Sequence, residues 1–261
     1  EEQLELLIKK AEAIEVLPNQ VVWVKKSNAK NHLVLLAENT QGYKNLAKLS
    51  SIGYDKYTRG RPQIDWEDIE AYSEGVVALS ACLAGELPRA VLRDDLEQAH
   101  RIIKKMIKIF GKENYFIEIQ RHGIEEENKL NPILMELAEE YGLKVVATVD
   151  NHYTNEEDKK AHEAHLCIGT KSELSDPNRW IFPGGGYHIH SSHEMEELFH
   201  DVPEVLDNTL DLAERLNAEI PTGELHMPEF PIPKNVDTQS TYFEELAWRG
   251  FEDRFKGTPA F

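Results

Sequence analysis

LKVVATVDNHYTNEEDKKAHEAHLCIGT, residues 143–170, lays out one complete strand-to-helix unit of the chain. KVVATV (144–149) is a short run of mostly apolar, β-branched residues, the pattern of a buried strand. It ends on Asp150-Asn151-His152. Thr154-Asn155-Glu156-Glu157 then has the spacing of a capping box, which predicts a helix over 155–168. A strand that ends on a carboxylate and an imidazole and then passes the chain to a helix is a building unit of parallel α/β folds. Sites in such folds collect at the C-terminal ends of the strands.

The same alternation runs upstream. Leu130, Ile133, Leu134, Leu137 and Tyr141 mark a helix over 128–141, stopped by Gly142 and tolerating Pro132 only near its start. Tyr115 to Ile119 is a strand, preceded by a helix over 97–110 with Ala99, Ile102, Ile103, Met106 and Phe110 on one face. Before that come a strand at 76–79, a short helix at 65–73, a loop at 53–63 and a helix at 41–50. Strands at 32–36 and 21–24 and a helix at 4–14 complete the start. Downstream lie a loop at 175–186, helices near 192–200 and 202–216, and a Pro-rich linker at 217–237. A last helix begins around 238–242 and runs toward residue 261. Alternating strands and helices from about 20 to 168 predict parallel strands with helical crossovers, in a barrel or an open sheet.

Composition narrows the class. The chain has 261 residues, 41% of them hydrophobic, enough for a substantial core. No apolar run approaches the 18 or more residues of a membrane span, and the acidic EEQLELLIKK start is unlike a secretory signal. Two cysteines, Cys82 and Cys167, do not make a disulfide framework, so a reducing cytoplasm is the expected compartment. The net charge of −18 disfavours broad binding to a phosphate backbone. Lys104, Lys105 and Lys108 cluster on what reads as a solvated helix face.

The chemistry-bearing residues gather around Asp150 and His152. In extended backbone, residues i and i+2 point to one side, so this carboxylate and imidazole would aim together and suit zinc, manganese or iron. The alternative is that Asp150 caps a loop and His152 packs beside it. His122 follows the 115–119 strand, Cys82 follows the 76–79 strand, and His32 begins the 32–36 strand. Each could join such a site or be structural. His188-Ile189-His190 would put two rings on one side of a strand, and His162 and His165 lie three apart on a helix. No phosphate-binding P-loop, dinucleotide fingerprint, nucleophile elbow or C-x-x-C pair occurs.

Taken in order, HLVLLAENTQGYKNLAKLSSIGY (32–54), YSEGVVALSACLAGELP (72–88), YFIEIQRHGIEEENKLN (115–131) and the 143–170 stretch resemble the PHP domain of bacterial DNA polymerase III alpha subunits. EMEELFHDVPEVLDNTLDLAERLN (194–217) and HMPEFPIP (226–233) continue the match. The resemblance implies an α/β fold, a PHP-type distorted (β/α) barrel over 1–216, here partial, with a linker at 217–237 leading toward a palm domain not contained in the chain. It implies a divalent-metal site, zinc or manganese, with magnesium serving the parent polymerase. Asp150 and His152 match the family's late D-x-H ligand pair, His32 and Cys82 match positions that can contribute, and His122 matches a Q-x-H-G segment. The family's early H-x-H strand, T-D-H and G-C-E segments do not occur in residues 1–31. The chain is therefore expected to be N-terminally incomplete or divergent, with a partial site and strand edges that residues 1–30 would have to cover. The polymerase's catalytic aspartates are expected beyond residue 261, so no catalytic residue is assigned.

The implied function is the PHP part of a replicative polymerase. It would support the enzyme, bind the proofreading exonuclease subunit and other replisome proteins, and carry metal-dependent phosphoesterase or 3′–5′ exonuclease chemistry. DNA would be met through the parent polymerase. Two alternatives stay open: an inactive structural, partner-binding domain, and a free-standing phosphoesterase.

Overall fold

The computed structural model describes residues 13–16, 21–26, 29–56 and 62–220, and beyond them 222, 223, 225, 227 and 230–258. The chain divides into two units, Glu1–Ile220 and Pro221–Phe261. Among the described residues the first unit carries a seven-stranded mixed sheet. Its strands are β1 Ala13–Val16, β2 Val21–Lys26, β3 Ala29–Ala37, β4 Ile64–Asp65, β5 Val76–Leu79, β6 Tyr115–Gln120 and β7 Val145–Thr148. They lie in the order β4-β1-β2-β3-β5-β6-β7.

Strand polarity changes within this sheet. β5, β6 and β7 are parallel. β1 runs antiparallel to β2 and β4, and β3 runs antiparallel to β2 and β5. The expectation of parallel strands from residue 20 onward is corrected for this half. Only residues 17–20 and 27–28 separate β1, β2 and β3, whereas a parallel crossover needs roughly a dozen residues. β1 and β2 extend the sheet beyond β3, so part of residues 1–30 does cover an edge. β1 includes Ala13 and Ile14, which the sequence placed at the end of a helix; Leu4, Leu7, Ile8 and Ala11 lie outside the described residues.

Among the described residues the helices of this unit are α1 Thr40–Asp55, α2 Trp66–Ala71, α3 Glu86–Leu92, α4 Leu96–Phe110, α5 Glu125–Tyr141, α6 Lys159–Thr170, α7 Ser192–Leu198 and α8 Glu204–Arg215. Alternation along the strands sends side chains to two cores. Val76, Ala78, Tyr115, Ile117, Ile119 and Ala147 pack with α3, α4 and α5. Val77, Leu79, Phe116 and Val146 pack with Leu212 of α8. On α4, Ile102, Ile103, Met106 and Phe110 are all buried, each contributing about 1.5–3 kcal/mol relative to exposure. At the start of α1, Asn39 Oδ1 accepts the Gly42 N–H at 3.0 Å. Gly42 is required there: a Cβ would fall 1.8 Å from the Gly75 carbonyl oxygen.

Several element boundaries move. α1 runs through Asp55, five residues past the predicted end, and residues 57–61 of the expected loop lie outside the described residues. α5 begins at Glu125, so Pro132 sits in its interior, where its missing N–H removes one in-helix donor. The cap before α6 falls one residue later than Thr154. Asn155 and Asp158 form the box, opening a 3-10 turn, Glu156–Asp158, that precedes the α-helix. Residues 187–191 form no strand; Ser191 instead caps α7, its Oγ accepting the Glu194 N–H.

In the second unit, α9 Gln239–Phe255 starts from Thr238, whose Oγ1 accepts the Thr241 N–H at 3.1 Å. Phe243 and Trp248 on this helix are exposed. Of the linker prolines, Pro221 and Pro228 lie outside the described residues. Among the described residues no helix is long and apolar enough to cross a membrane.

Candidate metal centre at the strand ends

Three loops leave the C-terminal ends of β5, β6 and β7 side by side, carrying Cys82, His122 and Asp150. His32 joins them because β3 is antiparallel to β5, which sets its beginning beside the end of β5. The His32 N–H donates to the Ala84 carbonyl at 2.9 Å, and Cys82 Sγ lies 3.4 Å from His32 Nδ1. Burial pushes the Cys82 thiol up to about 12, and the charges of Asp150 and Glu118 add to the rise. A thiol in that setting is no free nucleophile, and it ionises only when a cation compensates.

Two non-glycine residues with left-handed backbone lie in these loops, Ala81 at φ 65° and Asp150 at φ 43°. Such conformations persist only where the surroundings enforce them, and they concentrate at functional sites. The Asp150 value corrects the expected geometry. β7 ends at Thr148, so Asp150 and His152 are not successive same-side residues of a strand. The field of Asp150 acts on Cys82, Glu118, His122 and Tyr187. The exposed His152 ring packs against Phe182, with centroids 4.3 Å apart, and lies 5.7 Å from His162. His152 Nδ1 is 2.5 Å from the Asp150 carbonyl oxygen. A carbonyl only accepts, so Nδ1 carries the proton and the lone pair is left on Nε2. That is the tautomer an imidazole adopts when Nε2 binds a metal.

His122 is buried and fully engaged. Its N–H donates to Glu127 Oε2 at 2.6 Å, Nδ1 meets Glu127 Oε1 at 2.7 Å, and Nε2 donates to the Val149 carbonyl at 2.9 Å. Burial opposes the charged ring, but Glu127, Val149 and Asp150 together raise its pKa. Both nitrogens face acceptors, so the arrangement is a buried imidazolium–carboxylate pair with no ring nitrogen left for a metal. Tyr187 stacks on the His122 ring at 4.1 Å, and its carbonyl accepts the His152 N–H at 2.8 Å. His122 thus ties the β6 loop to the 150–152 turn. Gly184 has positive φ, and a Cβ there would meet the His122 carbonyl oxygen at 2.1 Å, so the 182–187 loop sits directly on this pair.

The sequence did not single out Glu118, although an acidic residue inside the apolar strand YFIEIQ was the available signal. Glu118 is 4% exposed. Its Oε1 accepts from Thr148 Oγ1 at 2.6 Å and from Gln120 Nε2 at 3.0 Å, linking β6 to β7, while Oε2 is buried without a hydrogen-bond partner. Of the other histidines discussed, only His162 lies near His152, sharing Phe182 with it. His188 and His190 stack on each other at 4.1 Å in coil, His165 is exposed on α6, and burial and the nearby His152 lower the pKa of His162.

Sulfur, imidazole and carboxylate donors suit zinc or manganese in kind, and the orphaned Glu118 oxygen marks a place where positive charge is wanted. Among the described residues, however, no three His, Cys, Asp or Glu side chains come together closely enough to hold an ion.

Comparison with known proteins finds one consistent group of relatives. The PHP domain family matches residues 5–122. The DNA polymerase III subunit alpha of Treponema pallidum is 41% identical over 224 residues, covering 86% of this chain and 19% of the relative. Those of Borreliella burgdorferi and Thermus aquaticus are 40% and 38% identical, also over 86% of the chain. The chain spans about a fifth of the length of these curated relatives. It carries a PHP domain and is homologous, over most of its length, to bacterial DNA polymerase III alpha subunits.

Proposed function

We propose that the chain serves as the PHP module of a replicative, cytoplasmic DNA polymerase alpha subunit, acting as a structural and partner-binding support with a partial divalent-cation site. The observation that carries this reading is the cluster at the strand ends. Cys82 and His32 touch, Asp150 acts on the same thiol, and His152 keeps Nε2 for a ligand, yet the described side chains do not enclose an ion. Asp150, His152, Cys82 and His32 are the donors on which a zinc or manganese site would draw, but as described they do not close around an ion. Such an ion supplies Lewis acidity toward a phosphate ester. The protein's own residues orient the donors: His122 and Tyr187 fix the 150–152 turn, and Glu118 fixes Thr148. The proofreading exonuclease subunit and other replisome proteins are the proposed partners. DNA is reached through the parent polymerase, whose nucleotidyl transfer uses magnesium.

Metal analysis of the purified chain tests the reading. At most one weakly held zinc or manganese per chain is expected, lost in Asp150→Ala. Tight binding of two or three ions per chain would overturn the partial site. Chelator-sensitive removal of 3′ nucleotides from single-stranded DNA would favour the hydrolytic reading over the purely structural one.

A further inference from the structure

Among the described residues β7 ends the seven-stranded sheet, with β6 on one side and no strand on the other. The Ile117 N–H donates to the Lys144 carbonyl at 3.0 Å. Backbone groups alternate along a parallel strand, so those of Val145 and Ala147 point away from β6. An open row of such groups is a template for a further strand, and proteins blunt it with short strands, charges, proline or a cover. The opposite edge strand, β4, is only two residues long. Val145-Val146-Ala147-Thr148 is longer and carries neither charge nor proline.

The cover at this edge is α8. Val205 in its first turn is buried in the core with α3, α4 and α5, and Leu212 in its last turn is buried in the core on the other face. The helix therefore sits astride the rim of the sheet. Between those two anchors, side chains take up the ladder groups of β7. Asn208 Nδ2 donates to the Val145 carbonyl at 3.0 Å, and Thr209 Oγ1 accepts the Ala147 N–H at 3.0 Å. The Thr209 hydroxyl proton goes to the Val205 carbonyl of its own helix at 2.8 Å, with the Ala147 carbonyl at 3.3 Å as the alternative acceptor. Donor and acceptor thus follow one another along the rim as they would on a neighbouring strand. At the end of the helix, Arg215 Nη2 donates to Glu38 Oε1 at 2.8 Å and to Asn114 Oδ1 at 2.6 Å, which keeps α8 seated.

We propose that Asn208 and Thr209 close the sheet by standing in for a strand, and that the partner they hold off is the β7 edge of a second copy of this chain. Two such edges related by a two-fold axis meet antiparallel, so the edge is complementary to itself. A self-pairing surface is therefore built into the fold and masked by α8.

Amide exchange followed by nuclear magnetic resonance on the full chain tests both parts. In the unaltered chain the Ala147 amide is expected to be as protected as that of Ile117, at every protein concentration. Free exchange there would overturn the cap. Asn208→Leu with Thr209→Val removes the polar atoms at similar shape. In dilute protein the Ala147 amide is then expected to exchange about tenfold faster, the worth of one net hydrogen bond. It should slow again as concentration rises, while sedimentation reports a doubling of mass. Thr209→Ser keeps the hydroxyl and should behave as the unaltered chain. Exchange in the double variant as slow as in the unaltered chain, with no gain in mass, would overturn the cap. Fast exchange that never recovers, at constant mass, would overturn the second copy as the excluded partner. Thr209→Val alone leaves Asn208 in place and carries the same readouts where the double variant does not fold.

Discussion

The two halves of the sheet solve the same packing problem with different connections, and only one of them makes loops for chemistry. In the antiparallel half, β1, β2 and β3 are separated by residues 17–20 and 27–28, which leaves little chain for a site. In the parallel half, β5, β6 and β7 must each return through helices, so their C-terminal ends emerge together, and Cys82, His122 and Asp150 emerge with them. The charged interactions divide in the same way. The His122–Glu127 pair of the parallel half is buried, with side chains 1% and 4% exposed. In the antiparallel half, Lys56 reaches Asp65 and Asp68 from a side chain that is 44% exposed. The antiparallel half nonetheless contributes His32, and the reversal of β3 is what brings it to the right end of β5.

The comparison can be broken most severely at the buried pair. Glu127→Ala strips the buried His122 ring and backbone N–H of the carboxylate they share and is expected to cost about 4 kcal/mol of unfolding free energy. Lys56→Ala should cost less than about 1 kcal/mol. Urea titrations of the two variants check the contrast, and similar losses would show that the halves do not differ as described.

The next largest effect is on pH dependence in chelator-treated protein. Glu118 holds its proton more tightly folded than unfolded, so its contribution to stability is fully present below about pH 4.5 and is lost as pH rises through about 7. His122 is also raised, and its contribution likewise fades as pH climbs from about 6.5 through the folded value. Stability should therefore fall by roughly 3 kcal/mol between pH 5 and 8 from Glu118 alone, at about 1.4 kcal/mol per unit. Glu118→Gln should flatten that slope. Glu194 and Asp201, both held near 2 by hydrogen bonds and neighbouring charge, act below this window. A stability that rises across the window would contradict the assignment.

The smallest effect sharpens the argument about backbone strain. Ala81 occupies the left-handed region beside Cys82, so Ala81→Gly should relieve about 1 kcal/mol and raise the melting temperature slightly. A loss of stability would mean that the Ala81 side chain, buried in the loop, contributes more packing than its backbone costs.

The elements were largely legible in the sequence because their signals are local. The α4 face of Ala99, Ile102, Ile103, Met106 and Phe110 is buried as its spacing required, and β5 spans the expected Val76–Leu79. The capping residue before α6, the true start of α5 and the coil at 187–191 were not legible. The first and last depend on which of several competent polar groups captures a backbone N–H, while α5 starts after Ile124 with no side-chain cap to announce it. In the site, Cys82, His122 and Asp150 could be placed at strand ends from sequence, but the engagement of His122 with Glu127 and Val149 could not.

What the sequence determined alone was where strands and helices lie, which faces are apolar, and that carboxylate, thiol and imidazole groups punctuate successive strand ends. Those are consequences of periodicity and of local hydrogen bonding. Strand polarity was decided only in three dimensions. Whether β3 runs with or against β5 depends on ladder pairing between residues 39 to 45 positions apart. That choice sets His32 against Cys82, and the folded packing likewise leaves Glu118 Oε2 buried without a partner.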